Sequence, residues 1–364
     1  MTMRTLDPDR PVRLGYVGCG FIAQHIHLPN FSGLRDCQLV ALAELRPELG
    51  RKVAEHYSIP TLVSSHQELI DNPDIDAVAV SADYVVQGEI AADLLAAGKH
   101  VFMEKPMAVS MKQAQVILAA AERGGGRLMI GYMKRYDPGN ILTRDTVRKW
   151  RQSGEKGRLL YLRNHGFTGN WTAGRDTSSI ISTTEPMPPK PRDHAAPDWL
   201  PAEAISSYIG YLQQYTHNIN LARFVLDASA DKLKVKTVDL DSDGMTGVVI
   251  FDMDGTRVVV ESAQTKFHGW DEHTQIYFER GWVHAYSPVL FANPGQPKVE
   301  IYEGGDNPSY SYPIPTPIAA WHFREEAQHF LDALRSGEPF HSPGTDALTD
   351  VTLLETIYRK HLGL

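Results

Sequence analysis

Residues 14–23 run Leu-Gly-Tyr-Val-Gly-Cys-Gly-Phe-Ile-Ala, an apolar segment that breaks into glycines. Taken as strand, tight turn and helix start, this is a G-x-G-x-x-A cradle, and it commits the surrounding chain to a βαβ unit. Gly18 permits the sharp turn, Gly20 lets the backbone approach a pyrophosphate, and Ala23 keeps helix and strand close. Phe21 and Ile22 fall in the first helical turn, where unpaired N–H groups and the helix dipole favour phosphate. A second apolar strand over residues 37–43 ends at Glu44, 24 positions after Gly20. An acid there would take the adenosine ribose hydroxyls. Glu44 would repel a 2′-phosphate and so favours NAD, whereas Arg46 argues for NADP. The competing reading is an ordinary α/β core with a solvated Glu and Arg.

At 364 residues the chain is too long for one typical core and implies two domains. A net charge of −8 argues against nucleic acid, which needs clustered Lys and Arg. The sequence holds no 18-residue apolar run for a membrane span and no apolar signal core near residue 1. Its two cysteines, Cys19 and Cys37, are too few for a disulfide framework, so the expected location is cytoplasmic. Cys19, inside the glycine loop, reads as a small filler rather than a nucleophile.

The expected fold class is α/β. Over residues 1–137 strand patterns (75–80, 100–103, 127–132) alternate with helical ones (47–57, 67–70, 87–97, 110–123), which implies a Rossmann domain on a parallel sheet. From 138 to 364 the texture is that of an α+β domain for substrate binding and oligomerisation. Five strands (233–240, 247–253, 256–266, 274–279, 282–286) follow one another without helices, giving a largely antiparallel open sheet. Helices are expected at 319–335 and 348–361. The Pro-, Ser- and Thr-rich stretch 176–201 reads as an irregular loop or arm.

Residues 100–106, His-Val-Phe-Met-Glu-Lys-Pro, end a strand with Glu104 and Lys105 just before a proline. Ligands of an open parallel sheet bind beyond the strands' carboxyl ends, so both residues are candidates for cofactor contact. Pro106 biases Lys105 toward extended geometry. No metal set emerges: His25 and His27 are two apart, and no Cys pair is available.

Together the glycine loop, Glu44, the run Ala97-Gly98-Lys99-His100-Val101, the triplet Glu104-Lys105-Pro106 and Arg135-Tyr136-Asp137-Pro138 resemble the Gfo/Idh/MocA oxidoreductases. The resemblance spans nearly the whole chain. It implies NAD(P)-dependent chemistry on sugars, inositols or related polyols, with Lys105 as the main proton group and His217 as its catalytic partner. It also implies a nicotinamide-side contact at Ser81, where this chain has Ser81-Ala82-Asp83-Tyr84 and Gln87 in place of the usual Thr-Pro-Asn and His. The family's D-x-x-x-H-x-x-D helix signature corresponds to 213–220, where Gln213 and Asn220 replace the carboxylates. Gln213, His217 and Asn220 share one helix stripe, and Gln213 would hold a substrate hydroxyl. Tyr132, Arg135 and His165 are further candidates for lining a sugar pocket. The expected reaction is hydride transfer between nicotinamide and a secondary alcohol or ketone, with the Lys105 amine and His217 imidazole meeting over one ring. An alternative on the same scaffold is a glycoside hydrolase or lyase that uses held NAD for a transient oxidation. The expected partners are a small sugar or polyol and further copies of the chain, as a homodimer or homotetramer through the second-domain sheet.

Overall fold

A computed structural model describes residues 6, 7, 9–170, 172, 177–189, 196–228, 232–266 and 270–364. The chain forms two compact units, neither of them continuous in sequence. The first gathers Met1–Gly131, Asp176–Leu200 and Glu326–Val351; the second gathers Tyr132–Arg175, Pro201–Glu325 and Thr352–Leu364.

In the first unit the apolar runs become β1 (Val12–Val17), β2 (Cys37–Ala43), β3 (Thr61–Val63), β4 (Ala77–Val80), β5 (His100–Glu104) and β6 (Leu128–Gly131). They pair in parallel in the order β3-β2-β1-β4-β5-β6, the strand order of a Rossmann sheet. β4 and β6 are buried at every position, as a sheet covered on both faces requires. The connecting helices are α1 (Leu28–Ser32), α2 (Pro47–His56), α3 (His66–Ile70), α4 (Tyr84–Ala96) and α5 (Met111–Gly124). A π-helical turn, Ala23–His27, leads into α1.

Side-chain caps place the helix starts. Ser65 accepts from Gln67 N, Asp83 from Val85 N and Ser110 from Gln113 N. Asp83 starts α4 three residues before the apolar pattern does. The β6 edge is covered by a late segment: Ile130 N donates to Ser342 O at 2.9 Å, and Ser342 Oγ donates to Ile130 O at 2.6 Å.

The second unit opens with α6 (Pro138–Ser153), β7 (Leu159–Thr168) and the long α7 (Ile205–Leu226). There follow β8 (Leu233–Leu240), β9 (Gly247–Met253), β10 (Thr256–Gln264), β11 (Trp270–Phe278), β12 (Gly281–Tyr286), β13 (Lys298–Glu303) and β14 (Ser309–Ser311). The eight-stranded order is β14-β13-β12-β11-β7-β10-β9-β8. Only the β7–β10 pairing is parallel; the others are antiparallel. β13 and β14 were not expected from sequence: β14 is a three-residue Ser-Tyr-Ser strand, and β13 (Lys-Val-Glu-Ile-Tyr-Glu) carries only two aliphatic residues among charged ones. Helices α8 (His322–Ser336) and α9 (Gly344–His361) finish the chain.

Strand alternation gives the sheet two unlike faces. Asn164 and Gly166 face α7: Asn218 Nδ2 donates to Asn164 Oδ1 at 2.8 Å. A Cβ on Gly166 would lie 2.4 Å from Asn218 Nδ2, so the close approach of helix and strand needs glycine there. The other face carries half-buried rings, including Tyr161, Tyr277, Trp282 and Tyr302. Of the stretch 176–201, the described residues contain neither helix nor strand; residues 176 and 190–195 of that expectation lie outside the described ones.

Candidate dinucleotide and proton-transfer site

The first unit builds its pocket at the carboxyl ends of β1, β2 and β4. Gly18 adopts φ +98, and a Cβ there would lie 2.7 Å from Ser81 O, so both the turn and the packing require glycine. Nothing lies within 4 Å of a Cβ built on Gly20, which leaves its backbone open to a ligand. Ala23 is fully buried against the strand. A cavity of about 240 Å³ lies here, lined among others by Gly18, Gly20, Glu44, Arg46 and Ser81. Phe21 and Ile22 lie in the turn that follows and are not part of this wall; Phe21 stacks on His25 at 5.1 Å.

Glu44 does more than end a strand. Its Oε2 accepts from Cys19 N at 2.8 Å, and its Oε1 accepts from Arg46 N at 3.1 Å and Arg46 Nε at 2.7 Å. The carboxylate thereby ties the glycine turn to the post-β2 loop, and the Arg46 charge is engaged by Glu44. Tyr16 Oη and Ser81 Oγ share a hydrogen bond of 2.8 Å below the turn. Burial, reinforced by the Glu44 charge, pushes the Cys19 thiol far above its ordinary range, which fits a filler and not a nucleophile. A backbone open at Gly20 beside a held acid fits the adenosine and pyrophosphate of a nicotinamide dinucleotide.

At the end of β5, Gln87 Nε2 donates to Glu104 O at 2.7 Å and to Pro106 O at 3.2 Å, fixing the residues on either side of Lys105. Gln87, read from sequence as a departure, is thus a clamp on this strand end. The Lys105–Pro106 peptide is cis. Glu104 does not line the cavity: Oε2 accepts from Lys105 N at 3.1 Å, and Oε1 lies 2.7 Å from His27 Nε2. The structure also brings together a group that sequence spacing did not show. His27, Glu104 and Glu326 bring one donor atom each within 4.8 Å of the others. Their remoteness in sequence hid this group. Neither oxygen of fully buried Glu326 has a hydrogen-bond partner among the described residues. Burial, with the Glu104 charge second, pushes the Glu326 carboxyl well above the usual range.

The remaining candidates lie in the second unit. His217 and Asn220 are buried on α7, and Gln213 is half-buried. Asn220 Oδ1 accepts from Arg135 Nε at 2.8 Å, so the amide that replaces the expected carboxylate holds a buried guanidinium. Arg135 also lies over the Tyr132 and Phe224 rings, and Tyr132 Oη bonds Thr216 Oγ1 at 3.2 Å. Tyr132 and Arg135 are therefore clamps on α7. His165 sits on the sheet face away from α7, one residue from Asn164, as period-two alternation dictates. There its Nδ1 lies 2.6 Å from Glu261 Oε2, and its ring stacks on His273 at 4.7 Å. Burial would raise Glu261, but hydrogen bonds from Arg163 and His165 outweigh it and hold the carboxyl below the ordinary range.

The chain thus combines a Rossmann sheet, which carries an open glycine turn and a held acid at the end of β2, with a second unit on a mixed eight-stranded sheet, an architecture of the dinucleotide-binding class. Residues 12–132 match the model of the oxidoreductase family Gfo/Idh/MocA, NAD-binding Rossmann fold. Over those residues, about a third of the chain, it is similar to that oxidoreductase family. A myo-inositol 2-dehydrogenase of Thermotoga maritima is 23% identical, over 92% of either chain. Two solved structures share the fold at 21% identity, covering 96% of this chain and 97% of theirs. One is a 3-ketoreductase from Actinomadura kijaniata in complex with NADP and TDP-benzene, with a TM-score of 0.70. The other is an aldose-aldose oxidoreductase from Caulobacter crescentus complexed with glycerol, with a TM-score of 0.71.

Proposed function

We propose that the chain moves hydride between NAD and a secondary alcohol or ketone of a sugar, cyclitol or sugar derivative. The observation that carries this is the glycine-turn cavity with Glu44 fixed in its wall. NAD is favoured over NADP on electrostatic grounds. A 2′-phosphate would meet the Glu44 carboxylate, and Arg46, already ion-paired to it at 2.7 Å, is the weaker counter-charge. The relatives named above, a myo-inositol 2-dehydrogenase, a 3-ketoreductase and an aldose-aldose oxidoreductase, support the substrate class.

The bound nicotinamide supplies the hydride acceptor or donor; the protein's part is the proton. Lys105, held beside a proline and clamped by Gln87, exchanges it with the substrate hydroxyl oxygen. A lysine of ordinary pKa, about 10.4, is protonated at neutral pH and can donate to a forming alkoxide without tuning. His217 and Gln213 are its proposed partners from the second unit, the first in proton relay and the second in holding a hydroxyl. We further propose that the enzyme is cytoplasmic and a homo-oligomer through the ring-bearing sheet face, where Trp282 stacks on Tyr302 at 5.9 Å and meets Tyr310 edge-on at 5.5 Å.

A screen of inositols, sugars and sugar acids with both cofactors tests the reading by NADH or NADPH formation. Lys105→Met is expected to lower kcat by about 10²–10⁴, the usual worth of a placed proton donor, with dinucleotide affinity largely kept. Retention of the full rate by that variant would remove Lys105 from the chemistry.

A further inference from the structure

The stretch 177–189 leaves the sequence of the second unit and belongs to the first. Two anchors hold it, one at the glycine turn and one at the start of α2. At the glycine turn, Gln24 makes a two-point contact: its Nε2 donates to Ile181 O at 3.0 Å, and Ile181 N donates to its Oε1 at 2.8 Å. The same Nε2 donates to Cys19 O at 2.8 Å, so one buried amide joins the stretch to the turn itself.

The second anchor lies past Glu44. Helix α2 has Arg46 as N-cap with no side-chain cap bond. Glu185 supplies it instead: its two oxygens accept from Glu48 N at 2.9 Å and Leu49 N at 2.8 Å. Thr183 Oγ1 donates to the same carboxylate at 3.1 Å. A carboxylate on free helix N–H groups beside Arg46 is well matched in charge.

Just beyond the second anchor, Met187, Pro188 and Pro189 line the cavity shared by Gly18–Gly20 and Glu44–Arg46. Met187 is 57% exposed, an apolar side chain at a pocket mouth with area still to bury. A flexible thioether and two proline rings suit the face of a flat heteroaromatic ring.

We propose that residues 181–189 are a strap belonging to the cofactor site: Met187, Pro188 and Pro189 form a wall for the adenine ring, and the Gln24 and Glu185 anchors hold that wall in place. Release of the dinucleotide then requires the strap to loosen, which makes the adenosine half the slow end to leave. This rests on the proposed dinucleotide site but adds residues and a kinetic role that site does not itself require.

The test is the rate of NADH release from the full-length protein, followed by stopped-flow fluorescence on mixing with excess unlabelled NAD, together with equilibrium affinities for ADP-ribose and nicotinamide mononucleotide. Glu185→Ala removes an anchor, and Met187→Ala removes wall without touching the α2 cap. In both, release is expected to speed up and ADP-ribose affinity to fall by about tenfold, equivalent to about 1.4 kcal/mol. Nicotinamide mononucleotide, which lacks adenine, is expected to bind as to the parent. Unchanged release and ADP-ribose affinity in a folded Met187→Ala protein would overturn the strap while leaving the dinucleotide site intact. An equal loss for both half-ligands would overturn it too, because the effect would then be general. A parent protein that binds neither dinucleotide nor ADP-ribose would overturn both proposals.

Discussion

Glu326 shows how one buried residue shapes its surroundings. An ionised carboxylate with no hydrogen-bond donor could not stay in this interior, so the folded state keeps it protonated. The groups facing it are Glu104 and His27. Glu104 also accepts from Lys105 N, which places Glu326 one contact from the proposed proton donor. The folded pKa lies above the unfolded value, so the folded state binds the extra proton. Stability from this group is then complete below about pH 4.5 and is lost as pH rises, by about 1.4 kcal/mol per pH unit until the folded pKa is reached. Glu326→Gln removes that slope. In urea unfolding across about pH 5–8, the difference in stability is expected to move steadily in the variant's favour. Parallel pH curves for the two proteins would show that Glu326 is ionised in the fold.

At the level of elements, the sequence exposed what depends on local pattern. The bounds of β8 and β9 agree with the sequence expectation to the residue, because an apolar alternation meets the turn residues Asp254 and Gly255, both with positive φ. The glycine turn and Glu44 were legible for the same reason, since a phosphate cradle is made by neighbours in sequence. The placement of His165 was not, because β7 runs on through it and nothing in the sequence sets Asn164 rather than His165 toward α7. What local pattern cannot carry is a contact between distant residues. Glu185 caps α2 from a loop 136–137 residues away, and nothing in either segment announces the other. Asp137 is the local counterpart, a cap made by sequence neighbours, accepting from Gly139 N and Asn140 N at the start of α6. Burial outweighs those two bonds and pushes its carboxyl up to about 6. Asp137→Ala is expected to lose about 0.5–2 kcal/mol of stability, and Asp137→Asn, which keeps an accepting oxygen, a small part of that. The Asn variant is also expected to lack the stability decline that the raised carboxyl gives the parent from about pH 4 to 6. Thermal melts of the three proteins at several pH values decide it.

Across the whole molecule, the separation into units differs in kind from a cut along the chain. The glycine turn, Lys105 and all six strands of the Rossmann sheet lie before residue 132, which invites treating that part as a self-sufficient module. Its packing does not allow this. Phe102 on β5 packs edge-on against Phe330 at 5.6 Å, and Asp36 pairs with Arg335 at 2.9 Å. Arg127 donates to Ala333 O at 2.6 Å and lies 4.2 Å over the Phe340 ring. Ser342 completes the β6 edge, and Glu185 caps α2. A fragment of residues 1–137 would therefore expose a phenylalanine-lined core face, an unpaired strand edge and an uncapped helix next to Glu44. Edges and apolar faces of that kind associate between chains. Such a fragment is expected to show no cooperative thermal transition by circular dichroism and to aggregate, while the same residues joined through a short linker to 326–351 recover a measurable melt. A 1–137 fragment that melts cooperatively and binds ADP-ribose with the affinity of the full chain would mean that the late helix and the strap only decorate a sheet that is stable without them.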